Sequence, residues 1–241
     1  MRTYKILIHN IKKEGRGMDV KLLYQPSYTM ANVRLAANEE IRAESGAMVS
    51  MGEGITIETK IQGGFFKALG RSMLGGESFF MNTFKASTNG GEINFAPPLP
   101  GDMAAVNLEK PMLVQSGSYV ACEQTVEIDT KWGGAKTFFA SEGLILLRAS
   151  GSGKLLLSSF GAIHEVMLGA GEKYIVDTGH FVAFDEGIGF NVRKVGGLKS
   201  TFLSGEGLVV DVTGPGRILI QSRSTDSFLG WLIPKLPKSN S

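Results

Sequence analysis

Six basic residues in this chain recur in a pattern that could hold an anion. Lys60, Lys131 and Arg193 each lie 14 residues beyond the glycine of a Ser/Thr-Gly pair, at Gly46, Gly117 and Gly179. Lys67, Lys136 and Lys199 each follow a Gly-Gly pair, at Gly63-Gly64, Gly133-Gly134 and Gly196-Gly197. Cations beside glycine loops, whose amides are open to approach, suit phosphate or carboxylate groups. Three equivalent loops meeting at one end of a fold would surround it with up to six positive charges. Each loop also carries an acid, Glu77, Glu142 or Glu206, ahead of an apolar stretch. Three such carboxylates could hold a cation through oxygen ligands. The more ordinary use of each is to accept N–H bonds in its own loop or to pair with the nearby lysine. Exposed pairs of that kind contribute only about 0–1 kcal/mol.

Other chemistry is sparse. The three histidines, His9, His164 and His180, lack the one-residue-apart spacing of a histidine metal site in a β-barrel enzyme. His180 reads as a turn-edge residue. No Gly-x-Ser-x-Gly elbow is present. Ser158, Ser159, His164 and Asp177 are close in sequence, which alone does not make a triad. The stretch "RASGSGKLLLSS", from Arg148 to Ser159, hints at a phosphate loop. A Walker loop needs a glycine where Arg148 stands, and a helix where "KLLLSS" reads as a strand. It is read here as a hairpin turn, the second of three: "TNGGEINF", "GSGKLLLS" and "GPGRILIQ". No catalytic residue and no cofactor are expected.

The elements that position these residues repeat. "ESGAMV", "QSGSYV" and "DTGHFV" surround Gly46, Gly117 and Gly179. Beyond each glycine runs an alternating stretch: Ile55, Ile57, Thr59; Val126, Ile128, Thr130; Ile188, Phe190, Val192. Alternation with period two predicts a strand that turns these residues inward. A second and a third apolar strand follow in each copy. With 32 glycines among the 241 residues, short strands joined by tight turns are expected. The fold class is therefore all-β, a three-repeat, pseudo-threefold barrel or prism. The repeats span about 30–100, 101–165 and 166–222 within one domain over residues 18–233.

The motifs "AESGAMVSM", "GGESFFMNTF", "APPLPGD", "VQSGSYVA", "LSSFGAI", "VDTGHFVAF" and "VGGLKSTFLSGEGLV" resemble the family named for altered inheritance of mitochondria, a mitochondrial-biogenesis family with many prokaryotic members. The resemblance runs from about Met18 to Ile233. It implies a fold like that of the tryptophan RNA-binding attenuation protein, a short double-stranded β-helix repeated within one chain. It implies no enzyme activity.

The ends differ from the middle. Residues 1–17 hold five Lys/Arg and one Glu, which leaves about −2 on the rest, so no general basic surface singles out nucleic acid. This segment reads as a basic N-terminal extension that adds little to the core. Residues 224–241 read as a tail. The loop "GGFFKALGRSMLGGES", with Phe65 and Phe66, and the tail segment "SFLGWLIPKLP", with Trp231, could touch a membrane surface or a protein partner. No apolar run approaches 18 residues. One cysteine, Cys122, favours a reducing, cytoplasmic compartment. The expected function is a non-enzymatic scaffold or binding protein that forms a homo-oligomer. The alternative is a module that binds an anionic ligand, a nucleic-acid or lipid phosphate, through the basic glycine-loop ends, and the third reading is an unrecognised enzyme.

Overall fold

The structure is a computed structural model, which describes residues 18–58, 81–129, 138–139, 144–194 and 208–237. It is built almost entirely of short strands. The first group is β1 (Asp19–Leu23), β2 (Met30–Leu35), β3 (Glu40–Glu44), β4 (Met48–Met51), β5 (Ile55–Glu58), β6 (Met81–Ala86) and β7 (Gly91–Phe95). The second is β8 (Met103–Leu108), β9 (Met112–Gln115), β10 (Tyr119–Glu123), β11 (Val126–Asp129), β12 (Phe138–Phe139), β13 (Leu144–Gly151) and β14 (Gly153–Ser158). The third is β15 (Ile163–Leu168), β16 (Lys173–Asp177), β17 (Phe181–Asp185), β18 (Gly189–Lys194), β19 (Leu208–Thr213) and β20 (Gly216–Gln221). Among the described residues one α-helix, α1 (Thr225–Leu232), follows.

The strands form four antiparallel sheets. Their orders are β1-β2-β7-β4, then β5-β6-β3-β10-β14-β8, then β11-β13-β9-β17-β20-β15 with β12 beside β13, and finally β16-β19-β18. Among the described residues no sheet closes on itself, so the expected barrel is not formed. The two long sheets have apolar residues on both faces, and each sheet is covered on a face by the next rather than curling round.

Three apolar cores lie between consecutive sheets. The first joins Val33, Ile41, Phe84, Ile93 and Phe95 to Val120, Ala121 and Leu156. The second joins Tyr119, Cys122, Leu155 and Leu157 to Met112, Val114, Val182, Ala183 and Leu219. The third joins Leu113, Leu146, Phe181, Phe184 and Ile218 to Val176, Val210 and Val212. The strand sequences follow from this layering. In β2, Ala31, Val33 and Leu35 are buried and Arg34 is exposed, which is the alternation of a sheet wetted on one face. In β14, Leu155, Leu156 and Leu157 are all buried, because Leu156 enters the first core while its neighbours enter the second. Edge-to-face pairs pack two of the cores: Phe84–Phe95 at 5.4 Å in the first, and Phe181–Phe184 at 5.5 Å in the third. Each contributes about 0.5–1.5 kcal/mol beyond its area.

Two expectations of local structure are revised. The "GSGK" segment does join two strands, and β14 follows it directly, as the strand reading of "KLLLSS" requires. Yet β13 and β14 belong to different sheets, so the turn is a corner between layers and not a hairpin. The inward face holds for Ile55, Val126, Ile128 and Ile188, which are buried, but Ile57 is 42% exposed. Ile57 shares β5 and its face with the buried Ile55, yet only Ile55 enters the first core. Thr59 and Thr130 lie outside the described residues.

Candidate functional site

The Ser/Thr-Gly segments converge. A cleft of about 530 Å³ is lined by Ser116, Gly117 and Ser118 from the second segment and by Thr178 and Gly179 from the third. Glu44, two residues before Gly46, brings the first segment to the same wall. The rest comes from Pro97–Leu99 after β7, Gln115 at the end of β9, Ile145 and Leu147 on β13, Ser158–Phe160 at and after the end of β14, Phe181 at the start of β17, Gln221 at the end of β20, and Ser224–Asp226 at the start of α1.

Glycine serves two different purposes in these segments. Gly46 has φ +92°, which favours glycine. Gly117 and Gly179 instead sit in short 3₁₀ turns, Ser116–Ser118 and Thr178–His180, without positive φ. A Cβ on Gly179 would stand 2.6 Å from the Ser224 hydroxyl, so this glycine is needed for space. The three glycines therefore do not share one turn conformation.

Hydrogen bonds fix most of the cleft wall. Gln221 bridges two segments: its Nε2 donates to the Gly179 carbonyl at 2.9 Å, and its Oε1 accepts from the Phe160 amide at 2.8 Å. The Asp177 carboxylate accepts from the Gly179 amide at 2.9 Å. The Ser224 hydroxyl accepts from the Ser227 amide at 3.4 Å and caps α1. Phe160 packs edge-on against Phe228 at 5.6 Å, which ties α1 to the rim. One wall group stays unmatched: the buried Ser116 hydroxyl has no hydrogen-bond partner among the described residues. A buried polar atom without a partner is uncommon and costs about 1–3 kcal/mol unless water or a ligand meets it. Among the described residues the lining contains two carboxylates, Glu44 and Asp226, and no Lys or Arg. Hydroxyls, an amide side chain and open glycine backbone in such a cleft suit an uncharged hydrogen-bonding group better than an anion.

A second polar cluster is built round two buried side chains, Tyr119 and Cys122. The Tyr119 hydroxyl lies 3.3 Å from the Cys122 sulfur and donates to the Arg42 carbonyl at 3.1 Å. Arg42 Nη2 donates to the Gln124 carbonyl at 3.3 Å and to the Val126 carbonyl. Burial pushes the Cys122 thiol up and the Tyr119 phenol well above its ordinary range. Both groups are therefore neutral, and the thiol is a packing group rather than a nucleophile.

Comparison with known proteins places this arrangement. Residues 20–223 match the family described as mitochondrial biogenesis AIM24. This chain belongs to the AIM24 family. It is 29% identical over 250 residues to an uncharacterized protein of Streptococcus pyogenes serotype M6, covering 98% of this chain and 99% of that one. The X-ray structure of a Streptococcus pyogenes protein superimposes with a TM-score of 0.74 at 27% identity, covering 91% of this chain and all of that one.

In this AIM24 chain the sequence-predicted sites fall as follows. Lys60, Lys67, Lys131, Lys136 and Lys199 lie outside the described residues, as do Glu77, Glu142, Glu206, His9, Phe65 and Phe66. Arg193, on β18, is engaged by Asp211 in two hydrogen bonds, Nε to Oδ2 at 2.6 Å and Nη2 to Oδ1 at 3.0 Å. That pairing holds the Asp211 carboxyl below its ordinary value and commits the one described member of the basic set. His164 is exposed on β15, while the Ser159 hydroxyl donates to the Gly161 carbonyl at 2.6 Å and Asp177 serves Gly179. His180 Nδ1 lies 2.7 Å from the Gln221 carbonyl, the turn-edge role expected. Trp231 is exposed, with the Lys235 ammonium 5.3 Å from its ring. Among the described residues no three His, Cys, Asp or Glu side chains cluster as metal ligands, and no helix is long and apolar enough to cross a membrane. Sequence reasoning marked Ser116 and Thr178 as turn residues. Their shared neighbourhood, and the part of Gln221 and Ser224 in it, depends on how the sheets stack.

Proposed function

We propose that this protein is a non-enzymatic binding scaffold that self-associates and holds an uncharged, hydroxyl- or amide-bearing small molecule in the cleft at the Ser/Thr-Gly segments. One observation carries the ligand reading: a cleft of about 530 Å³ lined by hydroxyls, amides and apolar side chains, with no cationic side chain among the described residues and an unmatched Ser116 hydroxyl in its wall. The strongly shifted groups, Tyr119 and Cys122, lie away from the cleft wall and are held neutral, which favours binding over acid–base chemistry.

The scaffold is read as three copies of one six-stranded unit. What supports this is the recurrence of one pairing scheme. A register break follows the first pair of β4 with β7, of β10 with β14 and of β17 with β20, at Met48, Tyr119 and Phe181. Each of these lies two residues beyond Gly46, Gly117 or Gly179.

Thermal-shift measurements with uncharged polyols and amides, and separately with polyphosphates, at low and moderate salt test the ligand reading. Stabilisation by an uncharged compound, insensitive to salt and lost in Ser116→Ala, is expected. Salt-sensitive stabilisation by polyanions alone, unaffected by Ser116→Ala, would move the site to the basic glycine loops.

A further inference from the structure

Among the described residues the four sheets end in eight edge strands, and two of these edges match. β4 ends the first sheet and β16 ends the last. Within the chain, consecutive units meet through the same two strands. β10 of the second unit pairs with β3 of the first, with Ala121 opposite Ala43, Cys122 opposite Arg42 and Glu123 opposite Ile41. β17 of the third unit pairs with β9 of the second, with Ala183 opposite Val114, Phe184 opposite Leu113 and Asp185 opposite Met112. In both junctions, the residue four beyond one Ser/Thr-Gly glycine faces the residue three before the preceding one.

We infer that β4 of one copy pairs with β16 of a second copy in this same antiparallel register. This rests on the three-unit, self-associating reading above. The rule places Ser50 opposite Val176, Met51 opposite Ile175 and Gly52 opposite Tyr174. One step further it sets Glu53 opposite Lys173, two exposed and oppositely charged residues. The corresponding step in the first formed junction is a side-chain hydrogen bond, Gln124 Nε2 to Glu40 Oε2. In the second it is the Glu186 amide on the Pro111 carbonyl at 3.1 Å.

Exposure marks the missing junction. Val49 is 54% exposed and Ile175 is 58% exposed, whereas Val120, Val182 and Leu113, which hold the same places in the formed junctions, are buried. Met51 and Tyr174 are exposed as well, and a depression of about 420 Å³ beside β16 is lined by Tyr174, Ile175 and Phe190. A free edge with apolar side chains is a ready template for another strand. The sheet face beside β4 is polar: Asn94 accepts from Asn32 at 2.9 Å and donates to Ser50 at 3.0 Å. The equivalent places elsewhere hold Leu156, Leu219, Ala121 and Ala183, all buried. Contact is therefore made by the strand edge rather than by the whole face, and it is reversible and concentration-dependent. Because the two edges differ, the association is head-to-tail and yields closed rings or open chains rather than twofold dimers.

Two experiments on the full chain test this. Met51→Cys and Ile175→Cys variants are oxidised singly and as a mixture, and light scattering measures association of Glu53→Lys, Lys173→Glu and the double swap. Cross-linking is expected in the mixture, with the two partners joined one to one. Each single charge reversal should weaken association roughly 3- to 10-fold, and the double swap should restore it. A monomer at every concentration would overturn both self-association and this pairing. Oligomers that neither cross-link nor respond to the charge swap would overturn the pairing alone. A cross-linked monomer of the Met51→Cys/Ile175→Cys double variant would show that the chain closes on itself, and would also overturn it.

Discussion

Leu156 and Asn94 each follow the register break of a strand pair, β10 with β14 and β4 with β7, yet only the strand of Leu156 lies between two cores. Leu156 is fully buried and enters the first core from a strand that also serves the second. Leu156→Ala removes three carbons from a wall shared by two sheets, where collapse is resisted from both sides. The loss should be about 2.7–5 kcal/mol. For a chain of this size that lowers Tm by roughly 6–20 °C. Asn94 is half-buried on the outer face of the first sheet and makes two side-chain hydrogen bonds, to Asn32 and Ser50. In Asn94→Ala water replaces most of that bonding, so the loss should be about 1 kcal/mol. Calorimetry or urea denaturation of both variants at neutral pH measures the contrast. A Leu156→Ala variant no less stable than Asn94→Ala would mean that β14 is not sandwiched between two cores, and the layered description would fall.

Three further outcomes follow from the same geometry. Ser116→Ala removes an unmatched buried hydroxyl and should leave the unliganded protein as stable or up to about 1–3 kcal/mol more stable while abolishing any ligand-induced thermal shift; urea melts with and without ligand separate the two effects. Tyr119 and Cys122 keep their protons in the folded state but lose them on unfolding near their ordinary values of about 10 and 8.5, so the unfolded chain binds fewer protons there. Stability should be full below about pH 8 and fall as pH rises through 9 and 10, and Tyr119→Phe should flatten that fall in urea melts taken across the range. Removing residues 1–17, which precede the buried Met18, should shift stability by less than about 1 kcal/mol; a larger drop in Tm would mean that this basic segment pairs with the fold.

Much of the fold is legible in local pattern, because strand period and turn chemistry are local properties. The Ser/Thr-Gly segments, the strands at Ile55, Val126 and Ile188, and the corners after β6, β13 and β19 all lie where alternation and glycine put them. What was not legible depends on which sheet each strand joins. "GSGK" carries the composition of a hairpin, but its two strands bond to different partners and form a corner. The cleft escapes for the same reason: Ser116, Gln221 and Ser224 come from distant segments that only layer stacking brings together. One signal was in the sequence all along. Strand pairs that lie between two cores place Ala121 opposite Leu156, or Ala183 opposite Leu219, and these four side chains are buried. The β4–β7 pair places Ser50 opposite Asn94, hydrogen-bonded to each other. A polar pair where the other two are apolar identifies the end of a stack, because a polar sheet face is stable only when nothing apolar covers it. Ser50 belongs to β4, an edge strand of its sheet among the described residues.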